Sequence, residues 1–253
     1  MTRSGVYDVL TLRVKPSGES NREAWFLGAQ DGIFKATVFG GPKSKLRSQV
    51  SPFHQGKLWV YHDPVRDSRK VTDFDVQIWR PGLRELYGRT MAADSLAETV
   101  LATHAGGGAW EAALKLAGSV LDCLETSDEK NCRRILFHFF WIWTEFLGVR
   151  PDPGRCAGCA CEVKGDGVLW YRPGEGSFFC SGCRDSHGPQ EDAEIMAGPG
   201  ARCWLTAVGN LDPKEALRYS LDTASMRQAG SLILQILAGA LGKRLPLWDY
   251  WND

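Results

Sequence analysis

Apolar residues in the first eighty positions come in short runs broken by polar ones, whereas beyond position 89 they recur at helical spacing. The runs 7–14, 24–29, 32–39, 56–62 and 71–80 are rich in Val, Ile, Thr, Phe, Trp and Tyr and are separated by Gly, Pro, Asp and Ser, which predicts five short strands. Gln30-Asp31-Gly32 supplies a hairpin turn between the second and third of them. Segments 92–104, 110–124 and 132–147 predict helices, with Asp94, Ser95 and Asn131 near their starts. The third is apolar nearly all round and is expected to be a buried central helix. Gly148, Pro151 and Pro153 end it, 188–200 reads as a loop, and 213–221 and 224–241 supply two further helices. Lys243, Arg244 and Pro246 are expected to close the last helix.

Five strands with few helix signals suit a small closed barrel, and the oligonucleotide-binding (OB) barrel is the five-stranded candidate. The expected fold class is therefore α+β and multidomain. An N-terminal five-stranded OB-fold β-barrel over residues 1–80 precedes an α-helical domain over 81–253, into which a cysteine-rich ribbon is inserted at about 150–187. The most apolar stretch, 135–147, is too short for a membrane span and contains His138, Thr144 and Glu145, so no membrane association is expected. The first ten residues lack the apolar core and small-residue cleavage site of a leader, which favours the reducing cytoplasm.

The ribbon is defined by Cys156-Ala157-Gly158-Cys159 and Cys180-Ser181-Gly182-Cys183. Two C-x-x-C knuckles at this separation let four thiolates converge on one ion, with Gly158 and Gly182 expected to allow the tight turns. Four protein ligands leave no open coordination position, which points to one structural zinc per chain; an iron–sulfur centre or a site without metal are the alternatives. Cys161 and His187 are spare donors nearby. Cys123, Cys132 and Cys203 read as buried inert thiols. A thiol-redox role for a C-x-x-C pair would instead need an exposed thiolate of low pKa.

Net charge is zero, but its distribution is uneven. Residues 1–80 carry 13 basic and 8 acidic side chains, and 32–62 carries five basic and no acidic ones. Lys35, Lys43, Lys45, Arg47 and Lys57 are therefore candidates for a groove that tracks phosphates, with exposed members of Phe34, Phe39, Phe53, Trp59 and Tyr61 as stacking partners for bases. The bland reading is that these aromatics fill the barrel and the lysines are solvated. Arg133 and Arg134, heading the apolar helix, are candidates for holding an acidic, aromatic-ended tail, or else they pair with Asp128 or Glu129 at the surface. The five histidines form no metalloprotease pair, and Gly106-Gly107-Gly108 lacks the Lys-Ser/Thr ending of a phosphate-binding loop, so no catalytic site is expected.

In order and detail the chain resembles the bacterial recombination-mediator family RecO. The resemblance rests on Tyr7-Asp8-Val9-Leu10, Gly32-Ile33-Phe34-Lys35-Ala36, the run from Phe39 through Gly40-Gly41-Pro42-Lys43-Ser44-Lys45-Leu46 to Arg47, and Ser51-Pro52-Phe53. Further on it rests on Phe146-Leu147-Gly148-Val149-Arg150-Pro151 before the first knuckle and Phe178-Phe179 before the second. Two departures stand out: Ala160 and Cys161 follow Cys159 where the family usually has glycine, and the chain ends in Leu245-Pro246-Leu247-Trp248-Asp249-Tyr250 rather than a basic segment. The resemblance implies a non-enzymatic role in DNA repair and recombination: binding single- and double-stranded DNA, annealing strands, engaging single-strand-binding protein, and working with RecR to load RecA. An RNA- or transcription-associated zinc-ribbon protein with the same barrel is the alternative.

Overall fold

The computed structural model describes residues 4–41, 44–66, 68–186 and 194–251. Lys43 and His187 lie outside the described residues. The chain divides into two compact units, Met1–Thr126 and Ser127–Asp253.

The first unit is built on five strands: β1 (Ser4–Ser17), β2 (Asn21–Gly28), β3 (Gly32–Val38), β4 (Gln55–Asp63) and β5 (Ser68–Ile78). They close into a barrel in the order β1-β2-β3-β5-β4, antiparallel except where Thr37 of β3 meets Lys70 of β5. Closure depends on β1, whose first half pairs with β4 and whose second half pairs with β2, around a register shift between Thr11 and Arg13. An extra residue there bends the strand so that it can serve both neighbours. Val9, Phe26, Phe34, Leu58 and Phe74 alternate inward and form the barrel core, with the Phe26 and Phe34 rings 5.4 Å apart. All five strands fall where the sequence predicts them, but the first extends three residues further at each end. Those ends are half-exposed and carry little apolar signal.

Between β3 and β4 lies a short helix, α1 (Lys45–Gln49), which the strand-rich pattern hides. After β5 come α2 (Tyr87–Ala102) and α3 (Trp110–Glu125), which pack on β1 and β2. Helix α2 starts after an eight-residue connection, 79–86, rather than near Asp94 and Ser95, because Pro81 opens a 3₁₀ turn and the cap is Leu86. Ser95 is fully buried inside α2. Arg80 fastens this arrangement: its buried guanidinium donates to the Asp122 carboxylate at 2.7 Å, to the Phe53 carbonyl at 2.9 Å and to Gln55 Oε1 at 2.9 Å.

The second unit is centred on α4 (Glu129–Phe146), buried on nearly every side as its composition predicts. Its start is set by Asp128, whose carboxylate accepts from the Asn131 amide at 2.8 Å; Asn131 is inside the helix rather than at its cap. Around α4 stand α6 (Pro199–Val208), α7 (Pro213–Ala216) and α8 (Thr223–Leu241). Helix α6 starts inside the stretch 188–200 expected to be a loop and runs through 201–208, for which the sequence predicts no element, and α7 is four residues long where 213–221 is expected. Helix α8 ends on Gly242, which adopts the left-handed conformation at φ 66°, so glycine rather than the Lys243-Arg244-Pro246 run supplies the stop. The ribbon contributes β6 (Leu169–Arg172), β7 (Ser177–Phe179), the short α5 (Ser181–Ser186) and β8 (Ile195–Ala197), with strand order β7-β6-β8. No described helix is long and apolar enough to cross a membrane.

Candidate metal centre and nucleic-acid surface

The knuckles bring Cys156, Cys159, Cys180 and Cys183 together, with all four sulfur atoms within 4.8 Å of one another. A zinc–sulfur bond is about 2.3 Å, so thiolates at the corners of a tetrahedron around zinc lie about 3.8 Å apart. Cys159 Sγ and Cys180 Sγ are 3.8 Å apart. The donor set and its spacing therefore fit one tetrahedral metal ion.

Local backbone geometry explains the convergence. The Ala160 amide donates to the Cys156 carbonyl at 2.9 Å, closing the first knuckle, and the Ala157 amide donates to the Phe178 carbonyl at 2.7 Å, tying it to β7. The Cys180 amide points at Cys156 Sγ, 3.3 Å away. Gly158 suits a close approach, since a Cβ there would stand 3.0 Å from both Cβ and Sγ of Cys183 and would push against that ligand. Gly182 has open space around it and lies within α5, so no such constraint applies. Ala160 takes φ 59°, a left-handed conformation that glycine adopts more readily than alanine.

The thiols respond to this crowding. Burial pushes the Cys156 thiol up, but amide N–H groups of Cys180, Cys159 and Gly158 outweigh it and bring the group down to about 6. Hydrogen bonding to Cys159, together with burial, pushes Cys183 up to about 12, and the neighbouring Cys159 does the same to Cys161. Cys156 and Cys159 are held below the ordinary thiol value while Cys183 and Cys161 are pushed above it, a charge problem that a bound divalent cation resolves. Cys161 is exposed and stands outside the four-sulfur cluster. Cys123 and Cys132 are buried as expected, but Cys203 is exposed: it sits on the outer side of α6, a helix the sequence reading does not contain.

Two buried arginines support the ribbon. Arg172 donates from Nε to Glu194 Oε1 at 2.7 Å and from Nη2 to the Arg184 carbonyl at 2.9 Å, while Arg184 itself bonds Glu194. Burial would raise the Glu194 carboxyl, yet the two arginines hold it below the usual carboxylate range. Arg202, on α6, donates to the carbonyls of Val163, Gly165 and Gly167 in the loop between the knuckles.

On the barrel, Lys35 and Lys57 are exposed on β3 and β4, and Lys45 is exposed on α1. Arg47 is half-buried, and its carbonyl accepts from Arg22, which burial and the nearby Arg47 charge hold below its ordinary pKa. Lys35 pairs with Glu23 at 2.9 Å. Lys57 lies between Asp8 of β1 and Asp75 of β5 in the sheet register, so folding supplies the acids that its own segment lacks. Among the candidate stacking aromatics, Phe34 and Phe53 are 7% and 6% exposed and belong to the interior, Trp59 and Tyr61 are half-buried, and Phe39 is 46% exposed. None of Arg13, Lys15, Arg22 or Trp25 is singled out by the sequence, because only the strand register sets them beside the residues that are.

In the second unit, Arg133 and Arg134 line a cavity of about 490 Å³ together with Lys130, Met226, Tyr250 and Trp251. Arg133 donates to the Trp251 carbonyl and lies over the Phe137 ring, and Arg134 donates to the Leu217 carbonyl at 2.8 Å. His138 is buried in α4 with Nε2 3.0 Å from the Leu211 carbonyl, a core role.

No family model matches the chain. Several curated proteins do, and all carry the name DNA repair protein RecO. The chain is 28% identical to that of Oleidesulfovibrio alaskensis over 175 residues, covering 68% of this chain and 70% of the relative. It is 24% identical to that of Desulfitobacterium hafniense over 98% of this chain and 90% of the relative. It is 23% identical to that of Moorella thermoacetica over 96% and 89%. The resemblance to the RecO family extends over nearly the whole chain.

Proposed function

We propose that this chain, which resembles the RecO proteins over nearly its whole length, is a non-enzymatic mediator of DNA repair and recombination. It binds single- and double-stranded DNA, anneals complementary strands, engages the acidic tail of single-strand-binding protein, and works with RecR to load RecA in the bacterial cytoplasm at the nucleoid. The observation that carries this reading is similarity, over 96–98% of the chain, to proteins named DNA repair protein RecO. A closed five-stranded barrel with exposed cations is the architecture such binding uses.

In this reading Lys35, Lys43, Lys45 and Arg47 meet phosphates, and Lys57, standing between two carboxylates, contributes least. The four cysteines hold a structural zinc that fixes the ribbon. The metal orders the loops between the knuckles and takes no part in DNA chemistry. Arg133 and Arg134 pair with the tail's carboxylates, while the cavity edged by Met226 and Trp251 receives its terminal aromatic ring.

The test is a salt titration of single-stranded DNA binding. Replacing Lys43, Lys45 and Arg47 together by Ala lowers affinity for unrelated sequences and flattens the dependence of log K on log salt by about 0.7 per contact, or about two units in all. An unchanged slope in a folded triple variant would remove this loop from the binding surface. A preference for RNA over DNA in competition would favour the RNA-associated reading instead.

A further inference from the structure

The outer face of β1, β2 and β3 carries a row that no sequence segment contains: Arg13 is paired with Trp25, and Trp25 with Lys35. The next row on the same face sets Lys15 opposite Glu23 and Glu23 opposite Thr37, and Thr37 meets Lys70 of β5. The Trp25 indole is half-buried, and the ammonium groups of Lys15 and Lys35 stand 5.9 and 6.0 Å from its centroid. Phe39, just past the end of β3, is 46% exposed and has the Lys70 ammonium 5.5 Å from its ring. A half-buried ring and an exposed one thus belong to this side of the barrel, Trp25 attended by two lysines and Phe39 by one, with Glu23 the acid that the register sets among them.

We propose that Trp25 and Phe39 form a stacking track for the bases of single-stranded nucleic acid, with Lys15, Lys35 and Lys70 holding the phosphates between them. This rests on the DNA-binding reading above and deepens it by naming the surface and the stacking residues. Lys35 and Phe39 are four residues apart, about 13 Å along an extended chain, room for a strand to place different bases on the two rings. The present contacts of the lysines are weak enough to be exchanged. An exposed cation–π contact near the 6 Å limit is worth about two- to fivefold in an equilibrium, and the exposed Lys35–Glu23 pair is of the same order. A stacked base is worth about five- to 150-fold in affinity, and the displaced ammonium groups gain phosphates.

The experiment uses the full chain and a fluorescent oligothymidylate of about 16 nucleotides. Trp25→Ala is expected to weaken binding by about five- to 150-fold with the salt slope unchanged, because stacking releases no counterions. Trp25→Phe is expected to restore most of the loss. Phe39→Ala, at an exposed position that the fold does not need, is expected to weaken binding in the same range. As a positional readout, photocrosslinking of an oligonucleotide bearing 5-iodouracil to the unmodified chain is expected to label Trp25 or Phe39. If the parent binds the oligonucleotide but Trp25→Ala and Phe39→Ala bind it as tightly as the parent, and crosslinks fall elsewhere, the track is wrong while the DNA-binding reading stands. If the parent binds no oligonucleotide, both fall.

Discussion

Replacing Arg202 tests how the ribbon is held on the helical unit. The residue is 3% exposed, and its guanidinium donates from Nε to the Gly167 carbonyl at 3.1 Å, from Nη2 to the Gly165 carbonyl at 3.0 Å, and from Nη1 to the Val163 carbonyl, with the Pro153 carbonyl 3.4 Å away as a weaker fourth partner. Hydrogen bonds from a charged donor contribute about 1.5–3 kcal/mol each. Three of them would amount to more than about 4 kcal/mol, but Gly165 lies in an exposed stretch where water can take over an acceptor. Truncation to Met, which keeps the apolar stem and removes the donors, is therefore expected to cost about 2–4 kcal/mol. For a unit of this size that corresponds to a melting temperature lower by about 6–15 °C. Arg202→Lys should recover little, since one ammonium cannot span three carbonyls with the planar fork's geometry. Differential scanning calorimetry measures the melt, and release of metal to a colorimetric chelator measures the centre. The hydrogen bonds of Arg202 go to loop carbonyls rather than to the cysteine sulfurs, so the variant should still bind metal but release it faster as the loop between the knuckles loosens. A melt and a release rate both equal to the parent's would refute the idea that this side chain anchors the loop between the knuckles.

Cys180→Ser leaves three thiolates around the ion and should lose the metal and melt earlier, because binding at a structural zinc is coupled to folding; elemental analysis showing about one zinc per chain in the variant would contradict this. Ala160→Gly relieves a left-handed residue whose cost is about 1–2 kcal/mol, offset by the extra freedom glycine has when unfolded, so a net gain of about 0.5–1 kcal/mol is expected in urea denaturation, and a destabilised variant would show that the Ala160 methyl makes a needed contact.

Much of the architecture was legible because it depends on local chemistry. Strand alternation and the Asp31-Gly32 turn marked the barrel, an apolar surface on all sides marked α4 as central, and C-x-x-C spacing marked the convergence of the four cysteines. What the sequence hid depends on long-range register or on very short elements. Helix α1 has five residues and no buried one, so it leaves no apolar periodicity to read. Helix α6 follows a region of glycine and proline that resembles a loop until Trp204 and Leu205 are seen to be buried. Lys57 looked free of acids along the chain but is placed between Asp8 and Asp75 by β1 and β5, and Trp25 acquired its lysines by the same means. Phe34 and Phe53 have the composition of stacking residues, yet burial assigns them to the interior, leaving Phe39 as the accessible one.

The most direct test of the proposed role is a titration of the chain against single-strand-binding protein with and without its acidic, aromatic-ended tail. The account predicts binding to the intact protein only, and at least a 30-fold weaker interaction, about 2 kcal/mol, for Arg133→Glu combined with Arg134→Glu in a variant that still melts cooperatively. Equal binding to the intact and tailless proteins, or tail binding unaltered by the double charge reversal, would contradict it.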